Sequence, residues 1–475
     1  MVGQLDSREN LVGSWKELFR GRLGLLVVGL LLVQLASAMQ MFTIYTILPE
    51  VTRQLGGQEF YGWALAAGTL PSLAVVTLTP ALAKIMGRRN LLLVATLLFC
   101  LGGITATLAP TFTTFIAGRV IQAVSSGVLA MFGLSAVARA VPESLRSRVF
   151  SLMSAMWIVP ALIGPPFSAF IAEFLSWRWS IGMLIPLLLI GRLMLMGQAS
   201  IFDSQNLVGQ RIPLLSLVFL LTGVGLVLLG TSVDSELAFA GVVGGVVLAL
   251  VAGVKIIPRE THGPTRTLIL SLLFLTFAFY GADGMISLLA IEGLGSGMAQ
   301  AGIGLTLGTV SWALASMGQP RLAEVLPGAH ASTLAIGTTV LFIALIFLPV
   351  LVMSSLATAI GVAVLWVLCT IAGIGMGIAY PSVMTATLGK ATAADSERLA
   401  SSIVLAEMIG GSLSLSLVGG LYSYGLRIGI SSDHSLAGAL LILVIGALAA
   451  LIGAMRGRFL ILKNTSSKKC SSIDE

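Results

Sequence analysis

The feature that most constrains this chain is a series of apolar runs, each about as long as a lipid bilayer is thick. A helix needs about 20 apolar residues to cross a bilayer, and roughly fourteen runs of that length follow one another. Charged residues make up 10% of the chain, against about 25% in soluble proteins. The sequence therefore predicts an all-α membrane protein. Its fourteen predicted transmembrane helices lie near residues 23–48, 60–82, 90–109, 112–137, 148–172, 180–197, 213–231, 238–255, 267–290, 298–317, 332–352, 356–385, 399–424 and 436–455.

The positions of Lys and Arg predict which helix ends face the cytoplasm. The chain has 27 of these residues, and nearly all lie in alternate connecting segments or at the helix ends beside them, Arg192 and Arg211 included. Cytoplasmic loops carry such an excess. We therefore expect a multi-pass protein of the cytoplasmic membrane with both termini in the cytoplasm. The net charge of +7 then reflects topology and not nucleic-acid binding.

A weak internal repeat predicts the domain organisation. The stretch 127–170 resembles the stretch 375–417 in its small residues, polar loop and glycine spacing, so helices four and five correspond to helices twelve and thirteen. Two six-helix bundles with two helices between them are the simplest arrangement that fits. The predicted parts are a cytoplasmic amino-terminal segment (1–22), a first bundle (23–197), two intervening transmembrane helices with loops (198–266), a second bundle (267–455) and a cytoplasmic tail (456–475).

An arginine lies well inside the fourth apolar run. A charge at membrane depth is costly and usually marks a functional site, so Arg119 is a candidate for proton coupling, through an anionic group or a nearby carboxyl. The alternative is a structural cation that donates hydrogen bonds to Gln122 or to backbone carbonyls.

Two acidic residues lie at depth in the second half. Asp283 is flanked by Gly281 and Gly284 in the ninth run, and Glu407 precedes Gly410 and Gly411, which share its helix face. Both carboxyls are candidates for proton coupling. If the glycine face meets the other half, Glu407 lines a central cavity. The alternatives are an outer-end position for Asp283 and a structural interhelical hydrogen bond for Glu407.

The fifth run contains a Gly-Pro-Pro element. Gly164 and Pro165 predict an interruption of the helix that acts as a hinge or seal, because proline lacks an N–H donor and glycine permits close approach; an ordinary proline kink is the alternative. We assign Gln40, Gln122 and Tyr280 to the substrate cavity, with core packing as the alternative for Tyr280.

Four short motifs resemble those of the major facilitator superfamily, and in particular its fourteen-helix drug:proton antiporter branch. They are Gly118-Arg119 with Gln122 and Gly127, Pro160 with Gly164-Pro165, Trp177-Arg178-Trp179 with Pro186, and the segment Met86–Asn90 (MGRRN). The resemblance implies two six-helix bundles plus two intervening helices. It also implies that Gly87, Arg88 and Arg89 belong to the cytoplasmic loop motif between helices two and three.

The sequence departs from that family pattern in two places, the loop motif and helix one. Pro80 and Lys84 stand where the loop motif has a glycine and an aspartate, and Gln40 is the residue nearest to the family's acidic position in helix one. With Asp283 and Glu407 as the acids at depth, proton handling is expected in the second bundle.

Signatures of other functions are missing from the sequence. It has no GxxxxGK phosphate loop, no HExxH motif and no GxSxG elbow, and its three histidines lie in loops. Its three cysteines have no CxxC or CxxH neighbours. We therefore expect no enzyme activity, no cofactor and no metal.

We interpret the chain as a proton-coupled efflux antiporter that exports small amphipathic compounds of the drug or xenobiotic type by alternating access. Its expected partners are a small-molecule substrate, protons and the lipid bilayer, without nucleic acid. Two alternatives remain: an exporter of an endogenous metabolite or lipid-like molecule, and a non-transporting membrane scaffold or sensor with the same fold.

Overall fold

The computed structural model describes residues 18–196, 214–233, 237–256, 263–326, 329–354, 356–388 and 393–471. These residues are helical almost throughout, and no strand occurs among them. Most of the expected amino-terminal segment 1–22 and the last four residues of the tail 456–475 lie outside the described residues. The same holds for the start of the expected linker region, up to residue 213.

The described residues before 197 form a first series of helices. They are α1 (Gly21–Leu55), α2 (Tyr61–Ala67), α3 (Leu70–Met86), α4 (Arg88–Thr107), α5 (Phe112–Ala140), α6 (Glu143–Phe174), α7 (Trp177–Gly182) and α8 (Leu184–Met196). A 3-10 turn (Gln58–Phe60) precedes α2. The 3-10 turn, α2 and α3 together make one membrane span, and α7 and α8 together make another.

The described residues after 213 form a second series. They are α9 (Leu214–Gly230), α10 (Leu237–Ile256), α11 (Gly263–Leu288), α12 (Met298–Val325), α13 (Ala329–Val352), α14 (Thr358–Leu388), α15 (Ala393–Arg427) and α16 (Ser432–Ser471). A π-helical turn (Leu289–Gly293) extends α11.

The prediction of an all-helical membrane protein with fourteen apolar helices is confirmed, and a membrane crossing by each of the two shorter helices stays a prediction. In the described part of the chain, 12 spans are long and apolar enough to cross a membrane, and two shorter apolar helices, α9 and α10, lie between the sixth and the seventh of them. The chain is thus a multi-pass integral membrane protein.

The expected interruption at Gly164 and Pro165 is wrong. Helix α6 continues from Glu143 to Phe174 with Pro160, Pro165 and Pro166 inside it. The φ of proline, about −65°, suits a helix, and its ring removes only hydrogen bonds near it. The helix therefore loses bonds at this point without ending.

Helix packing divides the chain into two compact units. Unit 1 contains the described residues of Met1–Ile47 and Leu70–Arg211, and unit 2 contains those of Leu48–Thr69 and Ile212–Glu475. The carboxyl end of α1, the 3-10 turn and α2 thus pack within unit 2, although they lie inside the first bundle (23–197) expected from the sequence.

In unit 2, α2 and the two shorter helices, α9 and α10, pack closely against α15, and glycines lie at several of these contacts. The backbone of Gly62 in α2 packs directly on that of Gly420. The indole N–H of Trp63 donates to the Ser232 hydroxyl just beyond α9, at 2.7 Å. A Cβ at Gly253 in α10 would lie 3.0 Å from Ile409. Helices α9 and α10 therefore pack on the helix that carries Glu407.

Candidate functional site

Glu407 lies at the centre of a polar cluster in unit 2. The Tyr280 hydroxyl, from α11, donates to its Oε1 at 2.6 Å. The Tyr380 hydroxyl, from α14, donates to its Oε2 at 2.8 Å. The structure thus brings together two predicted site residues, Glu407 and Tyr280, and adds Tyr380, which the sequence reasoning missed.

Aromatic rings pack against the two tyrosines that bond to this carboxyl. Trp312, from α12, packs with its ring centroid 5.9 Å from Tyr380, 6.4 Å from Tyr280 and 5.3 Å from Phe279. Glu407, Tyr280, Trp312 and Tyr380 are all partly exposed. We call Glu407, Tyr280, Trp312 and Tyr380 the Glu407 cluster. It presents one carboxyl and several ring edges and faces to any molecule that reaches it.

Glycines determine how α11 and α15 meet at this cluster. A Cβ at Gly411 would lie 2.9 Å from the Tyr280 ring, and Gly410 packs directly on the backbone of α11 at Leu273. The glycine face predicted beside Glu407 therefore packs on α11 of the same unit. Gly411 leaves the space that lets the Tyr280 ring reach back to Glu407.

Asp283 is buried elsewhere on α11, with 5% of its surface exposed. It has no hydrogen bond or ion pair to other described residues, and its carboxyl interacts electrostatically with Cys369 on α14. One turn further on, the Ser287 hydroxyl is buried without a hydrogen bond to the described residues. Among the described residues Asp283 is therefore an unpaired, buried carboxyl outside the Glu407 cluster. Its role in proton coupling stays a prediction.

Arg119 and Gln122 are brought together in unit 1. Both are buried in α5, and Arg119 Nη1 donates to Gln122 Oε1 at 3.2 Å. Gly118 lets α5 approach α4 so closely that a Cβ there would lie 2.6 Å from the Ala106 nitrogen. Arg119 Nε has no partner among the described residues, and no carboxylate of the described part of unit 1 forms an ion pair with it.

Arg192 is a second buried cation of unit 1, one turn before the end of α8 at Met196, and its assignment to the cytoplasmic helix ends stays a prediction. It is 1% exposed in α8. Its Nη1 donates to the Ala95 carbonyl at 3.0 Å and to the Ser125 hydroxyl at 2.9 Å, and its guanidinium lies 4.3 Å from the Phe99 ring centroid. Proximity in sequence to the end of an apolar run concealed this burial, because a long side chain can fold back into the protein.

The remaining predicted cavity residues are buried in unit 1. Gln40 lies in α1 with 9% of its surface exposed. A Cβ at Gly164 would lie 3.3 Å from Phe42 and 3.4 Å from the sulfur of Met39, both also in α1. The Gly164-Pro165 element of α6 therefore packs on the stretch of α1 that contains Gln40.

The predicted loop motif lies at the junction of α3 and α4. Gly87 has a φ of 76°, a left-handed value that glycine adopts without steric cost, and its carbonyl accepts the first hydrogen bond of α4, from Leu91 N at 3.0 Å. Arg89 is exposed and Arg88 partly exposed in the first turn of α4. Lys84 is exposed near the end of α3.

The search for metal sites covers the described residues only. Among them, no group of three or more His, Cys, Asp or Glu residues is placed to hold a metal ion.

Proteins with similar sequences include transporters. A probable multidrug-efflux transporter of Mycobacterium tuberculosis is 26% identical over 439 residues, which cover 86% of this chain and 89% of that protein. An efflux pump of Gibberella moniliformis is 28% identical over 158 residues, which cover 33% of this chain and 28% of the pump.

Solved structures with the same fold are also transporters. A POT family transporter in complex with 5-aminolevulinic acid has a TM-score of 0.64 at 15% identity, covering 91% of this chain and 96% of that one. A bacterial homologue of the human lysosomal transporter Spinster has a TM-score of 0.60 at 13% identity, covering 92% and 96%. At such identities the similarity concerns the fold alone. The family model of the Major Facilitator Superfamily matches residues 30–415, and the chain therefore belongs to this superfamily of membrane transporters, which move small molecules and are not enzymes.

Proposed function

We propose that this transporter is a proton-coupled efflux antiporter of small amphipathic compounds, as in the drug:proton antiporter branch that its motifs resemble. Each cycle would exchange an exported molecule for protons by alternating access. Glu407 is the group that takes up and releases the proton, and Asp283 and Arg119 assist it.

The Glu407 cluster is the observation that carries this proposal. An acidic side chain at membrane depth is expensive and is retained where it serves transport. Here Glu407 is a partly exposed residue whose carboxyl receives two tyrosine hydroxyl bonds of 2.6 and 2.8 Å. The rings of both tyrosines pack against Trp312. Aromatic faces attract flat apolar groups and cations, so one site offers both a proton acceptor and a surface for amphipathic molecules.

The unequal distribution of charge supports proton handling in the second half of the chain. In the described residues, the acids at membrane depth are the buried Asp283 and the partly exposed Glu407, both in unit 2. The buried guanidiniums of unit 1 are those of Arg119 and Arg192. A scaffold without transport activity would gain nothing from carrying these desolvated charges, which weighs against that alternative.

The direction of transport is proposed from sequence relatives. The protein from Mycobacterium tuberculosis that matches most of this chain is described as a probable multidrug-efflux transporter. We extend export, and a location in the cytoplasmic membrane with both termini in the cytoplasm, to this chain on that similarity and on the distribution of Lys and Arg.

The test is transport in proteoliposomes under an imposed pH gradient, with a panel of lipophilic cationic and neutral dyes. We expect gradient-dependent movement of at least one dye by the wild type and its loss in Glu407→Gln. Glu324→Gln is the matched control, because Glu324 is an exposed acid near the end of α12. Full gradient-driven transport by Glu407→Gln would contradict the assignment of Glu407.

An endogenous metabolite or lipid-like molecule is the second candidate substrate. It is favoured by Pro80 and Lys84, which replace the glycine and the acid of the family's loop motif. If no dye moves under any gradient, endogenous compounds become the first class to test.

A further inference from the structure

The contacts of Glu407 depend on its charge. An ionised carboxylate only accepts hydrogen bonds, whereas a protonated carboxyl donates one and accepts others. In the ionised form both tyrosine hydroxyls, Tyr280 and Tyr380, donate to it. Such charge-assisted bonds are about twice as strong as neutral ones.

Protonation must change at least one of these bonds. The added proton forms an O–H bond on one carboxyl oxygen, which can then donate to a tyrosine oxygen but no longer accepts a strong bond from it. That tyrosine must turn its own hydroxyl hydrogen away from the carboxyl. Both bonds also lose the attraction of the negative charge, so the link between Glu407 and one tyrosine weakens.

The two tyrosines differ in how firmly their helices are held to α15. Helix α11, which carries Tyr280, packs along α15 through the close contacts of Gly410 and Gly411. Helix α14, which carries Tyr380, packs mainly on α12 and α13 and only lightly on α15. A Cβ at Gly337 in α13 would lie 2.6 Å from Ala379 N in α14. The Tyr380 bond is therefore an important tie between α14 and α15, whereas the Tyr280 bond supplements an existing contact.

We propose that Tyr380 is a positioning residue that holds α14 to α15 strongly while Glu407 is ionised. Proton binding at Glu407 weakens the Tyr380 bond, so that α14 can move relative to α15. This inference rests on the proposed function, since it explains how a proton on Glu407 changes the shape of the transporter. Tyr280 holds the Glu407 side chain in place in both states.

Within the described part of the chain, no other titratable group interacts with the Glu407 carboxyl. Among the described residues, Tyr280 from α11 and Tyr380 from α14 are the titratable groups that interact with its carboxyl. None of the described side chains of α16, α2, α9 and α10 does so. Asp283, also on α11, interacts with Cys369 instead.

Trp312 provides a direct readout of this weakening. Its ring contacts those of Tyr380 and Tyr280, so a movement of α14 changes the surroundings of this indole. The experiment records intrinsic tryptophan fluorescence of the purified full chain in detergent while the pH is changed between alkaline and acidic values. The fluorescence of Trp312 is obtained by subtracting the spectrum of the matching Trp312→Phe variant from that of each protein.

The wild type is expected to show a pH-dependent Trp312 signal. Tyr380→Phe should give the acidic-form signal at every pH, because the phenylalanine ring keeps the packing but has no hydroxyl to donate. Tyr280→Phe should keep the pH-dependent change. Tyr422→Phe is the control: it removes a tyrosine hydroxyl from the same helix as Glu407, where that hydroxyl bonds to Ser432 at 3.2 Å.

A pH-dependent Trp312 signal in Tyr380→Phe equal to that in Tyr422→Phe would overturn the proposal. If Tyr380→Phe does not yield monodisperse protein, Glu407→Gln gives the same test. Its amide, like a protonated carboxyl, both donates and accepts, so its signal should stay at the acidic level throughout. A Trp312 fluorescence that changes with pH in Glu407→Gln as it does in the wild type would also contradict the proposal.

Transport measurements on the same proteins separate this inference from the proposed function. Proton-driven transport that persists at the wild-type rate in Tyr380→Phe would refute the positioning role and leave antiport intact. If the Trp312 signal behaves as expected in a protein that moves no dye under a pH gradient, export of drug-like compounds is refuted, and the role of Tyr380 between α14 and α15 stands.

Discussion

Replacement of Arg119 by methionine is expected to abolish transport while leaving the protein about as stable as the wild type or more so. Arg119 is 8% exposed and gives one side-chain hydrogen bond, of 3.2 Å, to Gln122. Placing an arginine at the centre of a membrane helix costs about 2.5–3.5 kcal/mol. A hydrogen bond from a charged group stabilises the folded protein by about 1.5–3 kcal/mol. The free energy of unfolding of Arg119→Met should therefore change by roughly 0 to +2 kcal/mol.

Arg192 supplies the matched control, because it is also buried, with 1% of its surface exposed, and makes more hydrogen bonds. Its two hydrogen bonds, of 3.0 and 2.9 Å, and its stacking on Phe99 at 4.3 Å together outweigh the cost of burying the charge. Arg192→Met should therefore lose roughly 1–4 kcal/mol of stability.

The two variants are compared by thermal unfolding of purified protein in one detergent and by transport in proteoliposomes. A change of 1 kcal/mol shifts the melting temperature by about 2–4 °C in a domain of 150–250 residues. Arg119→Met with a melting temperature as low as that of Arg192→Met would identify Arg119 as a structural cation. Normal transport by Arg119→Met would remove it from the proton-coupling residues.

Three further predictions concern single residues. Gly62→Ala should lose about 1–3 kcal/mol of stability in thermal unfolding, because the added Cβ would collide with α15. Its control, Gly318→Ala, places the Cβ in open space and should gain about 0.5–1 kcal/mol, so equal melting temperatures of the two variants would contradict this prediction. Asp283→Asn should fold normally but slow gradient-driven dye transport, and an unchanged rate would exclude a coupling role. Gly164→Val should lower the free energy of unfolding by about 1–3 kcal/mol, because the larger side chain crowds α1. It should reduce the transport rate by a larger factor than it reduces the amount of folded protein. A stable variant with normal transport would count against a seal at Gly164.

The sequence predicted the helices well because each must satisfy its own backbone hydrogen bonds in lipid. Apolar runs of spanning length therefore identify them without knowledge of their neighbours. The interruption at Gly164-Pro165 was predicted from local chemistry and did not occur. Proline removes backbone hydrogen bonds, but its φ is compatible with an α-helix. Gly410 and Gly411 indicated which face of α15 packs closely against another helix. They did not indicate that this helix is α11 of the same unit.

The candidate site was only partly predictable, because it forms between residues far apart in sequence. Tyr280 lies 127 residues before Glu407, and Tyr380 lies 27 before it, so no local pattern links the three. One signal was available for Tyr380. Aligning Gly127 with Gly375 in the internal repeat places Tyr380 opposite Phe132, so the second copy adds a hydroxyl at membrane depth. Arg192 offered no comparable signal, since its position near a helix end matched the expected excess of cytoplasmic Lys and Arg.

The most direct test of the central claim is proton release on substrate binding, measured in weakly buffered solution with purified protein and a dye that the wild type exports. If Glu407 exchanges its proton for the exported molecule, dye binding to the wild type and to Glu324→Gln should acidify the solution, and binding to Glu407→Gln should not. Equal proton release by Glu407→Gln at the same dye occupancy would contradict the assignment of proton exchange to Glu407.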